Sequence, residues 1–220
     1  MIKLLGKLVK LVVFIAILVF GYLGASYGVS ELIKSKIGQD WLFYQENHLA
    51  FLFYTIALVL LLLRIYTVLT KERRMFRGIF TRSLVFAIAV YIFINTITVV
   101  YPDRINVKSP LNPNGVNYQY TNVDKVEAYF HPNAVNFFSD RSKGDFIYTI
   151  HIGNKSQDFI QPTPNPETQD YDMAPYINLR DFDKALMEAG AVKESSPEFA
   201  DRNSLERKYV EIFMEIINNR

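Results

Sequence analysis

Three long apolar segments fill the first hundred residues, and they constrain this chain more than any other feature. The first covers residues 8–28, with Lys10 as its only charge. The second covers residues 49–69, with Arg64 near one end, and the third covers residues 83–101 with no charge at all. A bilayer core about 30 Å thick is crossed by about 20 apolar residues in a helix, and each segment is long enough. A water-soluble helix carries a polar face at the helical period; none of the three does. The expected architecture is therefore an α-helical membrane domain over residues 1–101, with three transmembrane helices near 8–28, 49–69 and 83–101. A linker at 102–122 and a small α+β domain at 123–220 follow.

Orientation comes from the basic residues that flank the segments, because Lys and Arg are retained in the cytoplasm. The N-terminus carries Lys3, Lys7 and Lys10 and no acid. The stretch between the second and third segments carries Lys71, Arg73, Arg74, Arg77 and Arg82 against Glu72 alone. The stretch between the first and second mixes Lys34 and Lys36 with Glu31, Asp40 and Glu46. Both basic stretches belong inside, so the N-terminus is expected in the cytoplasm and the C-terminal domain outside a multi-pass cell-membrane protein. Tyr22, Tyr27, Trp41, Tyr44 and Tyr101 then fall near the outer headgroups, where amphipathic rings prefer to sit. Leu32, Ile33, Ile37 and Trp41 share one face of a short helix that can lie in the interface, or else belong to an ordinary loop. The first segment, with basic residues before it and small residues at Ala25 and Ser26, also fits a signal peptide; without a clean A-x-A site, retention is the expectation.

Within the spans, Gly24 and Gly28 form a GxxxG pair of the kind that lets helix backbones approach. Packing inside the three-helix bundle is the expected use. Asn95 interrupts the third segment and is expected to hydrogen-bond to another helix. No acid or histidine lies within the spans, and ion and proton pathways normally use such groups, so a self-sufficient transporter is not expected.

After residue 101 the composition changes. Residues 102–220 hold 18 acidic and 13 basic residues, a surplus of the wrong sign for neutralising phosphates, so nucleic acid is not an expected partner. Pro102, Pro110, Pro113, Asn114 and Gly115 punctuate the expected linker. The apolar period then becomes two, which reads as strands: one at 125–130, a return at 134–138 after the His131-Pro132-Asn133 turn, and a clear strand at 145–152. Gly153-Asn154 is a hairpin signal, with a return strand at 157–161. A proline-rich acidic stretch covers 162–175. Two helices are expected next. One, at 179–189, has Asn178 as its cap, Leu179, Phe182 and Leu186 as its apolar face and Gly190 as its stop. The other starts at a capping box of Asn203 and Glu206 and carries Leu205, Tyr209, Ile212, Phe213 and Ile216 on one face. Strands followed by helices predict an antiparallel sheet with two C-terminal helices on one side.

Chemistry is sparse. There is no cysteine, which removes disulfides, thiol catalysis and Cys-ligated metals. His131 and His151 can share a metal only if their strands bring them together. Glu167, Asp170 and Asp172 lack EF-hand spacing, and no GxSxG, SxxK or phosphate-loop motif is present. No cofactor is expected. The functional expectation is a non-enzymatic accessory or regulatory membrane protein. Its outer domain binds a membrane or envelope protein, a peptide or another envelope component, and the lipid bilayer is its other partner. The alternatives are a subunit of a membrane transport complex and an envelope metal-assisted hydrolase built on His131 and His151. Richness in Lys, Asn, Ile, Phe and Tyr is compatible with an AT-rich bacterial genome.

Overall fold

The computed structural model describes residues 2–38, 40–70, 77–131, 145–159, 163–164, 174–202 and 206–219. It divides into a helical unit (Met1–Gly38, Asn47–Thr96 and Ser109–Leu111) and a β-rich unit (Gln39–Glu46, Ile97–Lys108 and Asn112–Arg220).

The helical unit contains α1 (Ile2–Ile37), α2 (His48–Thr70) and α3 (Arg77–Ile94). No proline occurs before Pro102, so nothing removes a backbone donor inside these helices. Asn47 caps α2 by accepting a hydrogen bond from the Ala50 N–H at 3.1 Å, the usual service of a short polar side chain at a helix start. Small and aromatic residues hold α2 against α3. Ala57 and Ala89 are buried, and Tyr54 stacks on Phe93 with ring centroids 5.2 Å apart. The outward faces stay apolar: Phe20 and Tyr27 on α1, Leu49 and Ile56 on α2, and Phe80 and Leu84 on α3 are all exposed. Two helices, Phe14–Ile37 and His48–Thr67, are long and apolar enough to cross a membrane. The apolar part of α3, Phe80–Ile94, is shorter, about 22 Å at 1.5 Å per residue.

That shortfall corrects the third expected span. Residues 83–101 are not one helix: α3 stops at Ile94, and β2 (Ile97–Val100) follows a turn. A strand buried on both faces is continuously apolar, so hydropathy cannot separate it from a helix end. All four β2 residues are buried. The first segment is corrected in the other direction. Helix α1 runs on to Ile37, so Ile33 and Ile37 belong to its buried stripe with Val29, and no separate interfacial helix forms there.

The β-rich unit opens with β1 (Phe43–Glu46), which lies in sequence between α1 and α2, and continues with β2, β3 (Arg104–Ser109) and β4 (Asn112–Gln119). A short 3-10 turn at Tyr120–Asn122 leads to β5 (Lys125–Phe130), β6 (Phe146–Ile152), β7 (Lys155–Phe159) and β8 (Thr163–Pro164). Helix α4 (Ala174–Glu188), β9 (Val192–Ser196) and α5 (Arg207–Asn218) complete it. One sheet has the order β4-β3-β2-β1-β8 and the other β7-β6-β5-β9. Residues 102–122, expected as a linker, therefore form two strands and a turn. Their prolines sit at strand ends, at a turn and near the start of the edge strand β4, positions where a missing N–H is tolerated.

In the second sheet, β5 pairs antiparallel with β6, β6 with β7, and β5 parallel with β9. The parallel partner was not expected; β9 is a short polar strand between the two helices. The β6–β7 hairpin turns through Gly153 at φ +57°, the positive angle that the first residue of a type II′ turn needs. Gly190, at φ +95°, ends α4: the Ala191 N–H reaches the Leu186 carbonyl and the Gly190 N–H that of Met187, a Schellman closure. Helix α4 begins five residues earlier than the expected residue 179, with Pro175 in its first turn, where its missing donor does no harm. Asn178 is thus inside the helix, and its amide donates to the Leu42 carbonyl at 3.1 Å. Glu206 occupies the N-cap of α5 without a side-chain capping bond. The expected capping residue Asn203, the strand at 134–138 and the acidic loop residues Glu167, Asp170 and Asp172 lie outside the described residues.

The core gathers both sheets and both helices. Phe43 meets Phe159 and Phe182 edge to face at 5.6 Å each, and Phe146 stacks on Phe213 at 4.3 Å. Leu179, Phe182 and Leu186 of α4 and Ile212, Phe213 and Ile216 of α5 face inward, as their spacing predicts.

Candidate functional site

The two expected candidate histidines do not meet. In the β5–β6 register Lys125 faces His151 and Phe130 faces Phe146, and the His131 N–H bonds to the Asp145 carbonyl. The histidines therefore sit at opposite ends of the strand pair, about 20 Å apart at about 3.3 Å per residue. Among the described residues no group of three or more His, Cys, Asp or Glu side chains is placed to hold a metal ion.

His151 instead joins a charged row on the sheet face turned away from α4 and α5. Its Nε2 lies 3.3 Å from Glu127 Oε1. Lys125 Nζ lies 2.7 Å from Glu127 and 2.7 Å from Glu194. The hydrogen bond from Lys125 holds the Glu127 carboxyl below its ordinary 4.5. Ser156 is opposite His151 across the β6–β7 pair, so a hydroxyl, an imidazole and a carboxylate lie in sequence across three strands. No hydrogen bond links Ser156 to His151, and Ser156 is exposed. Acyl transfer also needs a nucleophile bonded to its base, and among the described residues Ser156 and His151 do not form that pair.

A second polar cluster lies inside the unit. Asp183 on α4 is fully buried. Lys193 on β9 donates to both its carboxylate oxygens at 2.6 Å and also to the Ile216 carbonyl. Tyr148 donates to Asp183 at 3.0 Å and Asn219 at 2.7 Å. Burial pulls the Lys193 ammonium below its ordinary value, and Asp183 opposes that pull. Burial and the adjacent carboxylate push Tyr148 well above 10, so it remains a donor. Ser195 adds a bond to the Ile217 carbonyl at 2.8 Å. Lys193 and Ser195 thereby bond carbonyls in the last turn of α5, where helical partners run out; the Ile216 carbonyl also accepts from the Asn219 N–H at 3.3 Å. Asp183, Tyr148 and the Lys193 side chain are buried and matched, with Ser195 and Asn219 half-buried at the margin, so the cluster is a structural clasp.

A crevice of about 240 Å³ lies between the two sheets. Val107 of β3 and Tyr118 of β4 form one wall, and Ile150 and Ile152 of β6 with Lys155 and Gln157 of β7 form the other. The register puts these four β6 and β7 residues on one face, since Ile150 pairs with Gln157 and Ile152 with Lys155. Ser156 also lines it, although its side chain points to the other face by strand alternation; its main chain therefore contributes the lining. Lys155 Nζ reaches across to the Tyr118 hydroxyl at 3.3 Å. Among the described residues Lys155 has no carboxylate within ion-pair distance, whereas Lys125, Arg180 and Lys193 each have one or more. Cofactor and drug-sized sites measure about 300–1,000 Å³; this crevice suits one or two apolar side chains.

The helical unit places the remaining candidates. Asn95 is fully buried past the end of α3, accepting from Lys36 of α1 at 2.9 Å and donating to the Tyr91 carbonyl at 2.8 Å. The GxxxG expectation needs correction. A Cβ at Gly24 or Gly28 would meet nothing within 4 Å, whereas one at Gly21 would lie 2.6 Å from a Leu62 methyl. Gly21 is the close-approach glycine, one turn earlier. Lys3, Lys7, Lys10 and Arg77 lie on α1 and α3; Lys71, Arg73 and Arg74 lie outside the described residues. Arg82 is exposed on α3 and bonds the Leu60 carbonyl of α2 at 3.3 Å. The sequence does not disclose the crevice, because the prolines, Asn114 and Gly115 in and around β3 and β4 read as a linker. No protein-family model, curated protein or solved structure matches the chain.

Proposed function

We propose that this chain is a non-enzymatic, membrane-anchored binding protein whose β-rich unit takes up a partner protein, peptide or envelope component. The observation that carries this reading is the apolar crevice with Lys155 at its rim and, among the described residues that line it, no catalytic constellation. In this proposal α1, α2 and α3 all span the cell membrane, with Arg77 and Arg82 at the start of α3 lying among the cytoplasmic headgroups. The N-terminus and the basic stretch at 71–82 are cytoplasmic, and the β-rich unit is extracytoplasmic. The two helices of spanning length, the outward apolar side chains on all three and the distribution of Lys and Arg support it. A surface of Phe, Leu and Ile is costly in water at about 25 cal/mol per Å² and unremarkable in lipid.

Crosslinking in native membranes followed by affinity purification of the full chain tests this reading. A partner enriched over an untagged control supports it. Purification of the chain alone, at every crosslinker length, overturns it. The bare Gly24–Gly28 face of α1 favours a second reading, a subunit of a membrane transport complex. Under that reading Gly24→Leu disrupts an assembly visible by native electrophoresis, and an unchanged assembly excludes it.

A further inference from the structure

Among the described residues the crevice opens beside an edge strand with no further neighbour, and that pairing of features specifies a ligand. Strand β7 is the terminal strand in the order β7-β6-β5-β9. Two residues, Gly153 and Asn154, join it to β6, so the flanking pair Ile152–Lys155 exchanges main-chain hydrogen bonds and the next pair, His151–Ser156, does not. The opposite side of β6 agrees: the His151 carbonyl accepts from the Asp124 N–H at 2.9 Å, toward β5. The N–H and C=O of Ser156 consequently project outward from the sheet. They do so at the crevice, whose lining includes Ser156. An unpaired donor and acceptor on an edge strand are a template for another strand.

We propose that β7 accepts an extended peptide segment as an added strand, with an apolar side chain in the crevice and an acidic side chain two residues away facing Lys155. The two-residue spacing follows from strand alternation, which puts residues i and i+2 on one face. Ile150, Ile152 and Val107 supply the apolar walls. The acidic preference follows from Lys155, which among the described residues meets the Tyr118 hydroxyl and no carboxylate. Main-chain pairing gives affinity in this mode, and side-chain pockets give selectivity. The proposal rests on the reading of this unit as a binding module and names the chemistry of its partner.

The test uses the full chain in lipid nanodiscs, with empty nanodiscs as the control. The probe is a fluorescein-labelled peptide, Thr-Ile-Thr-Glu-Thr-Ile-Thr, read by anisotropy. Saturable binding is expected. Lys155→Glu is expected to weaken it about fivefold and to strengthen binding of the same peptide with Lys in place of Glu. Ser156→Pro removes the outward donor without touching the β6 ladder, and about a tenfold loss is expected. Unchanged Trp41 fluorescence in both variants keeps folding out of the comparison. Absence of binding above empty nanodiscs overturns the proposal, as does binding indifferent to both substitutions. Decanoate, bound equally by wild type and Ser156→Pro while the peptide is not bound, identifies an acyl-chain site and overturns it too. If crosslinking enriches a partner that both variants retain, strand addition fails while the binding-module reading stands. If the peptide binds but no partner is enriched, the reverse holds.

Discussion

At the scale of single residues, the side chains with most influence on stability are buried, paired and polar. Asp183 accepts from Lys193, Tyr148 and Asn219 and is fully buried. Removing one member of such a pair strands the other charge, at a cost of about 3–5 kcal/mol, whereas replacing both by apolar groups is often neutral. Asp183→Ala is therefore expected to lower unfolding stability by that amount, and Asp183→Leu with Lys193→Met to recover most of it. Trp41 is the single tryptophan and is buried in the β-rich unit, so its fluorescence during urea titration reads both. Glu127 gives a pH prediction. Its folded pKa lies below 4.5, so its contribution is present above the unfolded value and is lost as pH falls through the lowered folded value. The pair is partly solvated, which limits the effect to below about 1 kcal/mol. Glu127→Gln should make the loss of stability as pH falls below the ordinary carboxylate value slightly shallower. None of these pairs was legible in the sequence. Lys193 and Asp183 are ordinary charged residues until the β5–β9 register and the closure at Gly190 bring them together.

At the scale of elements, legibility followed period. The inward stripes of α4 and α5 and the pairing of β5 with β6 depend on spacing along one segment, and the structure has them where that spacing puts them. The errors came where spacing is uninformative. Ile97, Thr98, Val99 and Val100 extend an apolar run, and only the flanking strands β1 and β3 make them a strand. The GxxxG pair was equally ambiguous, because spacing does not say which glycine faces a neighbour. Gly21→Val is expected to lower thermal stability in detergent by about 1–3 kcal/mol through overpacking against Leu62, with partial rescue by Leu62→Ala. Gly24→Ala, which meets nothing, is expected to be neutral or stabilising by up to about 1 kcal/mol. A melting-temperature comparison of the variants separates them, and equal losses at both glycines would contradict the assignment.

At the scale of the whole molecule, topology is the first quantity to measure. The chain has no native cysteine, so single substitutions report cleanly. Asn154→Cys should react with an impermeant maleimide in intact cells, and Lys71→Cys only after permeabilisation. The opposite pattern would invert the proposed orientation. A second prediction concerns separability. A cut at residue 102 removes β1 and β2, two strands of the first sheet, with core residues Phe43 and Val100. The 102–220 fragment is therefore expected to unfold without a cooperative transition by circular dichroism, unlike the full chain.

The position of β1 between two helices also sets a schedule for synthesis. Glu46 ends β1 and Ile97 begins β2, and at about 5–20 residues per second the ribosome needs about 2.5–10 s to make the chain between them. During that interval a short strand bearing Phe43 and Tyr44 has left the ribosome while neither sheet neighbour exists. It must wait unpaired until α2 and α3 have been made. The yield of folded protein should therefore respond to whatever shields a lone aromatic strand during those seconds, and slowing translation through residues 47–96 should lengthen the period of exposure.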